Sequence, residues 1–376
     1  MDSGATGRAA HSAGIAAARA YLTESAARVN PVLRRFWDEK VREWDRFPEI
    51  IRASFAAYDL LTADGKKIRA GLTRLGYEIC AGPRSPGTPV PDGIDRAAAC
   101  VEILHNAFLI HDDIVDQSDL RRNRPTAHRR FADAARARFR SDEEALQYGR
   151  AVALNFGDKG QALAQELLFS SGFPDPLLLR AVRLLSRVTA ETVAGQLLDV
   201  DDVRLPDLTE ELVLQIHEYK TAHYTIMLPL QLGALLAGAP EAVLPALRDF
   251  AIPLGLAFQI QDDILGLFGD EETLGKPVVS DVREGKKTLL IVHAYAAAAP
   301  AARASLESAH GNAGLTGETL EEVRRLVRET GALERSERMA RALVDAGKEI
   351  IPVITSDPRW ASILYGLADY LIERRF

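Results

Sequence analysis

From Ile94 to Ser118 the chain reads IDRAAACVEILHNAFLIHDDIVDQS. Ile94, Ala98, Val101, Leu104 and Phe108 recur at spacings of three and four, the signature of one apolar helix face. Asp112 and Asp116 stand four apart, so a helix projects both from one side, separated by one turn of about 5.4 Å. His105 falls on or beside that neighbouring face. Like charges at this spacing repel, and a solvated acidic face is one reading of them. Leu109-Ile110 before the acids and Ile114-Val115 among them are too apolar for a purely solvated face. Carboxylates on a greasy helix need compensation, and hard divalent cations with a phosphorylated ligand supply it.

The theme returns 150 residues later as Gly255-Leu-Ala-Phe258-Gln259-Ile-Gln-Asp262-Asp263. Gln259 precedes Asp262 by three and shares its face. Basic residues follow both clusters: Arg121-Arg122 after the first, then Lys276, Lys286 and Lys287 after the second, with one further acid, Asp281, among them. Arginine forks match phosphate oxygens. The stretch from Arg121 to Arg140 holds eight arginines against one aspartate, so nucleic acid is a rival partner. The adjacent carboxylates, the lack of interleaved aromatics and a net charge of −7 argue against it, and no nucleic-acid partner is expected.

Helical signals dominate the remainder. Aromatics are 7% and period-two runs are scarce, so the expectation is an all-α chain. Proline and glycine mark helix ends at 82–91, 171–176, 238–240, 310–314 and 356–358. Helices are expected near 13–29, 31–60, 66–81, 94–118, 142–170, 175–200, 208–236, 241–268, 286–308, 317–331, 333–350 and 358–374, with Pro229 and Pro253 kinking or resetting two of them. Residues 1–30 read as a frayed or helical extension, and 31–376 as one all-helical domain. No run of 18 apolar residues suggests a membrane span. Cys80 and Cys100 lack metal-ligand spacing and read as buried thiols of a cytoplasmic protein.

These residues together resemble the trans-isoprenyl diphosphate synthases, the polyprenyl synthetases, over roughly 60–300. The resemblance rests on Gly65-Lys66-Lys67-Ile-Arg69, Glu102-Ile-Leu-His105, Leu109 to Asp116, Leu120-Arg121-Arg122-Asn-Arg-Pro125-Thr126, Gly195-Gln196-Leu-Leu-Asp199, Tyr219-Lys220-Thr221, Phe258 to Asp263, and Gly275-Lys276-Pro277 through Asp281 to Lys286-Lys287-Thr288. It implies a single large helical bundle around a deep central cavity, a homodimer, and three Mg²⁺ ions. By this likeness Asp112, Asp116 and Asp262 match metal ligands, and Asp113, Asp263 and Asp281 match the metal and water shell. Arg121, Lys220 and Lys276 match bases on an allylic diphosphate, with Lys286 a further basic residue there. Lys66, Arg69, His105 and Arg122 match the isopentenyl diphosphate site, and Thr221 and Gln259 match groups near the reacting carbons.

Two departures stand out. Gly266 replaces a third acid of the second motif, a place that Asp281 can partly serve, and Ala70 stands where proline is usual. Ala107 and Phe108, five and four residues before Asp112, are the expected chain-length residues. A short-chain product is implied, with C20 favoured over C15 or C25 and longer. A terpene cyclase or a non-catalytic regulatory subunit are the alternatives; the Asp262-Asp263 pair and the retained basic residues weigh against them.

Overall fold

Helices make up nearly all regular structure in the computed structural model, which describes residues 3–63, 65–82, 92–201, 203–269 and 279–373. In chain order they are α1 (Ser3–Glu43), α2 (Glu49–Ala63), α3 (Ile68–Cys80), α4 (Asp92–Val115), α5 (Ala127–Ala135), α6 (Asp142–Phe169), α7 (Asp175–Val200), α8 (Glu210–Ile216), a π-helical segment (His217–Met227), α9 (Leu228–Leu236), α10 (Val243–Phe268), α11 (Val279–Arg283), α12 (Leu289–Ala297), α13 (Pro300–Ala309), α14 (Gly317–Glu329), α15 (Ala332–Ile354) and α16 (Pro358–Ile372). The all-α class expected from sequence is observed. Among the described residues the sheet is one hairpin, β1 (Leu120–Arg121) antiparallel to β2 (Arg124–Pro125).

Contacts divide the chain into two compact units. Met1–Arg19, Ser186–Met227 and Pro245–Phe376 form the first; Ala20–Leu185 and Leu228–Leu244 form the second. In the second unit the α4 stripe is buried, with Ile94, Ala98 and Val101 at 0% exposure and Leu104 at 2%. Each fully buried Ile or Leu contributes about 1.5–3 kcal/mol. Helices α4 and α6 approach closely because α6 carries glycines at the contact: Gly157 lies under the His111 ring, and Gly160 under Tyr58 and Ala107. Gly76 of α3 and Gly233 of α9 likewise admit each other's helix, against the Leu230 and Thr73 backbones. In the first unit α10 is the central element. Gly255 meets Ala222 of the π-helical segment, and Gly347 of α15 meets Leu254.

Several expected boundaries move. Residues 3–43 form one helix with Pro31 inside it, and the break falls at 44–48 instead of 30/31. The helix expected over 286–308 is two helices, because Pro300 starts α13 at a position where its missing N–H is harmless. Pro229 stands at the second residue of α9, just where the π-helical segment gives way. By length and composition α10 alone, among the described residues, can cross a membrane. In the fold its Leu247, Phe250, Leu254, Phe258 and Leu267 are buried, and it carries Asp262 and Asp263.

Candidate active site

On α4, His105, Phe108, Leu109 and Asp112 are half-buried, as is Asp116 in the turn just after it, whereas Ala107 and Ile110 are buried. The partly open face is therefore the one carrying the two acids. Phe108 shares it; Ala107, at 0% exposure, packs instead beside Gly160 and Tyr58. Asp113 is buried at 3% exposure and Arg121 holds it, Nη2 to Oδ1 at 2.7 Å. The same nitrogen reaches Asp112 Oδ2 at 3.4 Å. Burial pushes the Asp113 carboxyl up to about 6, against the opposing pull of Arg121.

The hairpin after α4 explains how Arg121 and Arg122 return to this face. Its two central residues, Arg122 and Asn123, have φ of 52° and 59°, the left-handed pair that a tight I′-type hairpin requires. Non-glycine residues there carry strain of order 1–3 kcal/mol, a feature that concentrates at functional sites. The Arg122 guanidinium lies against Gly65, where an added Cβ would stand 3.3 Å from Nη2. Lys67, at φ 50°, is buried at 2% exposure while Lys66 is exposed. Around His105 gather Arg69, Arg122, Arg121 and Lys67; burial first, then these cations, hold its imidazole well below its ordinary value. The His105 ring is thus held toward its neutral form, which can donate or accept a hydrogen bond. Ala70, where proline was expected, uses its N–H: it donates to the buried Glu102 Oε1 at 3.0 Å.

In the first unit the π-helical segment runs between α7 and α10. Gly195 of α7 accommodates the Lys220 backbone. Lys220 Nζ then pairs with Asp199 Oδ2 at 2.6 Å. Thr221 Oγ1 donates to Gln259 Oε1 at 2.9 Å, and Gln259 Nε2 donates to Asp263 Oδ1 at 2.8 Å. His217 Nε2 stands 3.3 Å from Asp263 Oδ2 without the alignment of a hydrogen bond. Lys286 pairs with Asp281 at 3.6 Å and Glu284 at 3.5 Å. Lys287 donates to the Asp199 and Asp201 carbonyls, capping the end of α7, so its role is structural. Gly266 makes room for another side chain: a Cβ there would fall inside 3.0 Å of the Asp281 carboxylate. Lys276 lies outside the described residues.

Two residues in this region were not assigned from sequence. Asp199, the partner of Lys220, sat in a quoted motif without a role. His217 had no signal at all, because an α-helical reading of 208–236 hides the π geometry that brings it to Asp263. Among the described residues no three His, Cys, Asp or Glu side chains converge as a closed metal cage. Mg²⁺ uses one or two carboxylates and completes its shell with phosphate oxygens and water. The donors are hard oxygens, and Asp263 Oδ2 is buried with no hydrogen bond.

An all-helical chain with two acidic motifs, each accompanied by bases, defines a class that handles diphosphate esters. Residues 52–328 match the polyprenyl synthetase family, and the chain belongs to that family of trans-prenyltransferases. It is 33% identical over 274 residues to a geranylgeranyl diphosphate synthase of Sulfolobus acidocaldarius, covering 72% of this chain and 73% of that one. It is also 33% identical over 314 residues to a (2E,6E)-farnesyl diphosphate synthase of Mycobacterium tuberculosis, covering 83% and 80%. A geranylgeranyl pyrophosphate synthase from Corynebacterium glutamicum, solved with isoprenyl diphosphate and magnesium, superposes with a TM-score of 0.87 at 30% identity, over 94% of this chain and 99% of that one.

Proposed function

We propose that this chain joins isopentenyl diphosphate to an allylic diphosphate, head to tail and trans, and that its main product is C20. The observation that carries this reading is the pairing of acids with bases at two places in the chain, one at the end of α4 and one at the end of α7. Arg121 sits on Asp113 and Asp112, and Lys220 on Asp199. Asp112, Asp116 and Asp262 are the residues to hold Mg²⁺, three ions in all, with Asp113, Asp263 and Asp281 behind them. Bound there, Mg²⁺ supplies positive charge for the diphosphate as it departs.

Arg121, Lys220 and Lys276, with Lys286 nearby, bind the allylic diphosphate. Lys66, Arg69, Arg122 and neutral His105 bind the homoallylic one, which keeps its diphosphate. The allylic C–O bond breaks. The double-bond electrons of isopentenyl diphosphate form the new C–C bond, and one proton leaves to the released diphosphate. Thr221 and Gln259 act beside the reacting carbons. Phe108, one turn above Asp112 on its half-open face, stands about 6 Å along the helix from it and limits the growing chain. The C20 assignment draws on the relatives named geranylgeranyl diphosphate synthases; the farnesyl synthase relative makes C15 the competing product.

The working form we propose is a homodimer. Helix α6 exposes Leu154 and Phe169, and α7 exposes Leu179, Val193, Leu197 and Val200, large apolar side chains that a second copy would cover. Sedimentation equilibrium of the purified chain tests this, with a mass of one chain refuting it. Incubation with Mg²⁺, labelled isopentenyl diphosphate and C5, C10 or C15 primers, followed by product sizing, tests the reaction. C20 accumulation is expected. Cyclised hydrocarbon would indicate a cyclase, and no product from any primer would refute enzymatic elongation.

A further inference from the structure

We infer that His217 is a positioning residue: it fixes the Asp263 carboxylate and, through Gln259, sets which side of the Thr221 hydroxyl faces the reaction. The inference rests on the prenyl-transfer reading above and extends it to a residue that no motif marks. His217 opens the π-helical segment and is buried at 4% exposure. A π-helix of this length is rare, and such segments gather at functional sites. It is wedged on α10 by the contact of Ala222 with Gly255 and on α7 by that of the Lys220 backbone with Gly195. The Asp263 carboxylate is thus approached on both oxygens from different elements: Gln259 Nε2 at 2.8 Å on Oδ1, and His217 Nε2 at 3.3 Å on Oδ2.

The polarity of the chain follows from the amide. A glutamine side chain has its donor and acceptor on opposite corners. With the Gln259 NH₂ committed to Asp263, its carbonyl must face Thr221, so the Thr221 hydroxyl is the donor in that bond, at 2.9 Å. The Thr221 lone pairs are then left for other neighbours, the polarity that favours positive charge developing on an allylic carbon. If Asp263 turned away, Gln259 could flip. Thr221 would then accept from NH₂ and present its proton to that carbon instead. His217 blocks that turn by standing against the second carboxylate oxygen. Its Nδ1 is buried and has no hydrogen-bond partner, so the ring is held at a price in desolvation that packing alone does not explain.

The test uses the full chain in Mg²⁺ with His217→Phe, which keeps the volume and loses the polar nitrogen facing Asp263 Oδ2, and His217→Gln, which returns a polar amide to that place. Expected for His217→Phe is a fall in kcat of about 10–100-fold, the usual loss when an outer partner of a site is removed. The KM for isopentenyl diphosphate stays unchanged, and His217→Gln recovers most of kcat. A readout independent of turnover is calorimetric binding of Mg²⁺ with inorganic pyrophosphate, which His217→Phe weakens and His217→Gln restores. Where the Phe variant is not recovered folded, His217→Ala takes its place. Wild-type values for either deletion variant, or a Gln variant as impaired as the deletion, overturn the inference. A wild type that elongates no primer refutes the underlying reaction instead, so the two failures are distinct.

Discussion

Gly266→Ala is the smallest change that tests how the second acidic motif is built. The new methyl would lie inside 3.0 Å of the Asp281 carboxylate, closer than real side chains approach. The obstacle is the end of a side chain, not backbone, so the expected response is rotation of Asp281 away from α10, with the fold retained. Asp281 is 12% exposed on its side chain and engages Lys286 at 3.6 Å, so that ion pair moves with it. If Asp281 serves as the third acid of this motif, its displacement removes one outer carboxylate, a loss of about 10–100-fold in metal affinity, or about 1.4–2.8 kcal/mol. Asp281→Ala should give the same loss directly. The decisive comparison is the double variant. In the Asp281→Ala background the obstacle is gone, so Gly266→Ala should add nothing, a coupling equal to its whole single effect. The assay is the half-saturating Mg²⁺ for isopentenyl diphosphate incorporation, repeated by calorimetry with pyrophosphate. Additive losses, or a Gly266→Ala variant indistinguishable from wild type, would refute the reasoning.

Asp112→Ala and Asp262→Ala should each lower turnover by at least about 10²–10³-fold while leaving the helical circular-dichroism signal intact; near-normal turnover in both would remove the metal assignment. Phe108→Ala should lengthen the product, read by chromatography, whereas Ala107→Phe should destabilise by about 1–3 kcal/mol in denaturant melts, because Ala107 packs on Tyr58 and Gly160 and not on the open face. Ala70→Pro should cost about 1–3 kcal/mol, since it strands the buried Glu102 carboxylate; an unchanged denaturation midpoint would count against that bond. His105, His128, His293 and His310 are all held below their ordinary value, chiefly by burial. The unfolded chain therefore takes up protons that the folded one refuses once pH drops below about 6.5, so stability is full above that pH and lost below it. Asp113, raised to about 6, works the other way in this window, so the four rings together are expected to outweigh it and the melting temperature to fall between pH 7.5 and 5.5. In an Asp113→Asn variant, which removes the opposing carboxyl, a flat profile would contradict the burial of these rings.

The helical class and the acid-bearing α4 and α10 were legible because their apolar residues keep an α-helical period over many turns. The end of α6 and the start of α7 were legible from the proline and glycine stop at 171–176; the Ser141 side chain, which accepts from the Glu144 N–H at the start of α6, is a detail the structure adds. What escaped sequence reading is local backbone geometry. The hairpin at 120–125 turns on left-handed Arg122 and Asn123; asparagine favours that region after glycine, but arginine beside it gives no sign of a paired left-handed turn. The π-helical segment at 217–227 leaves no mark in a pattern of apolar residues, so His217 and its contact with Asp263 stayed hidden. A break was expected between helices at 13–29 and 31–60, yet α1 runs on through Pro31, carried by buried Val29, Val32 and Leu33 on either side. The division into two units was also unforeseen, because each is assembled from segments distant in sequence and no change of composition marks their borders.

Counting diphosphate released against isopentenyl diphosphate consumed, with a C15 primer and with Mg²⁺ or a chelator present, bears most directly on the central claim. One diphosphate freed for each isopentenyl diphosphate joined, only when Mg²⁺ is present, is the expected result. Diphosphate released while isopentenyl diphosphate stays untouched, or joining that persists under chelation, would contradict it.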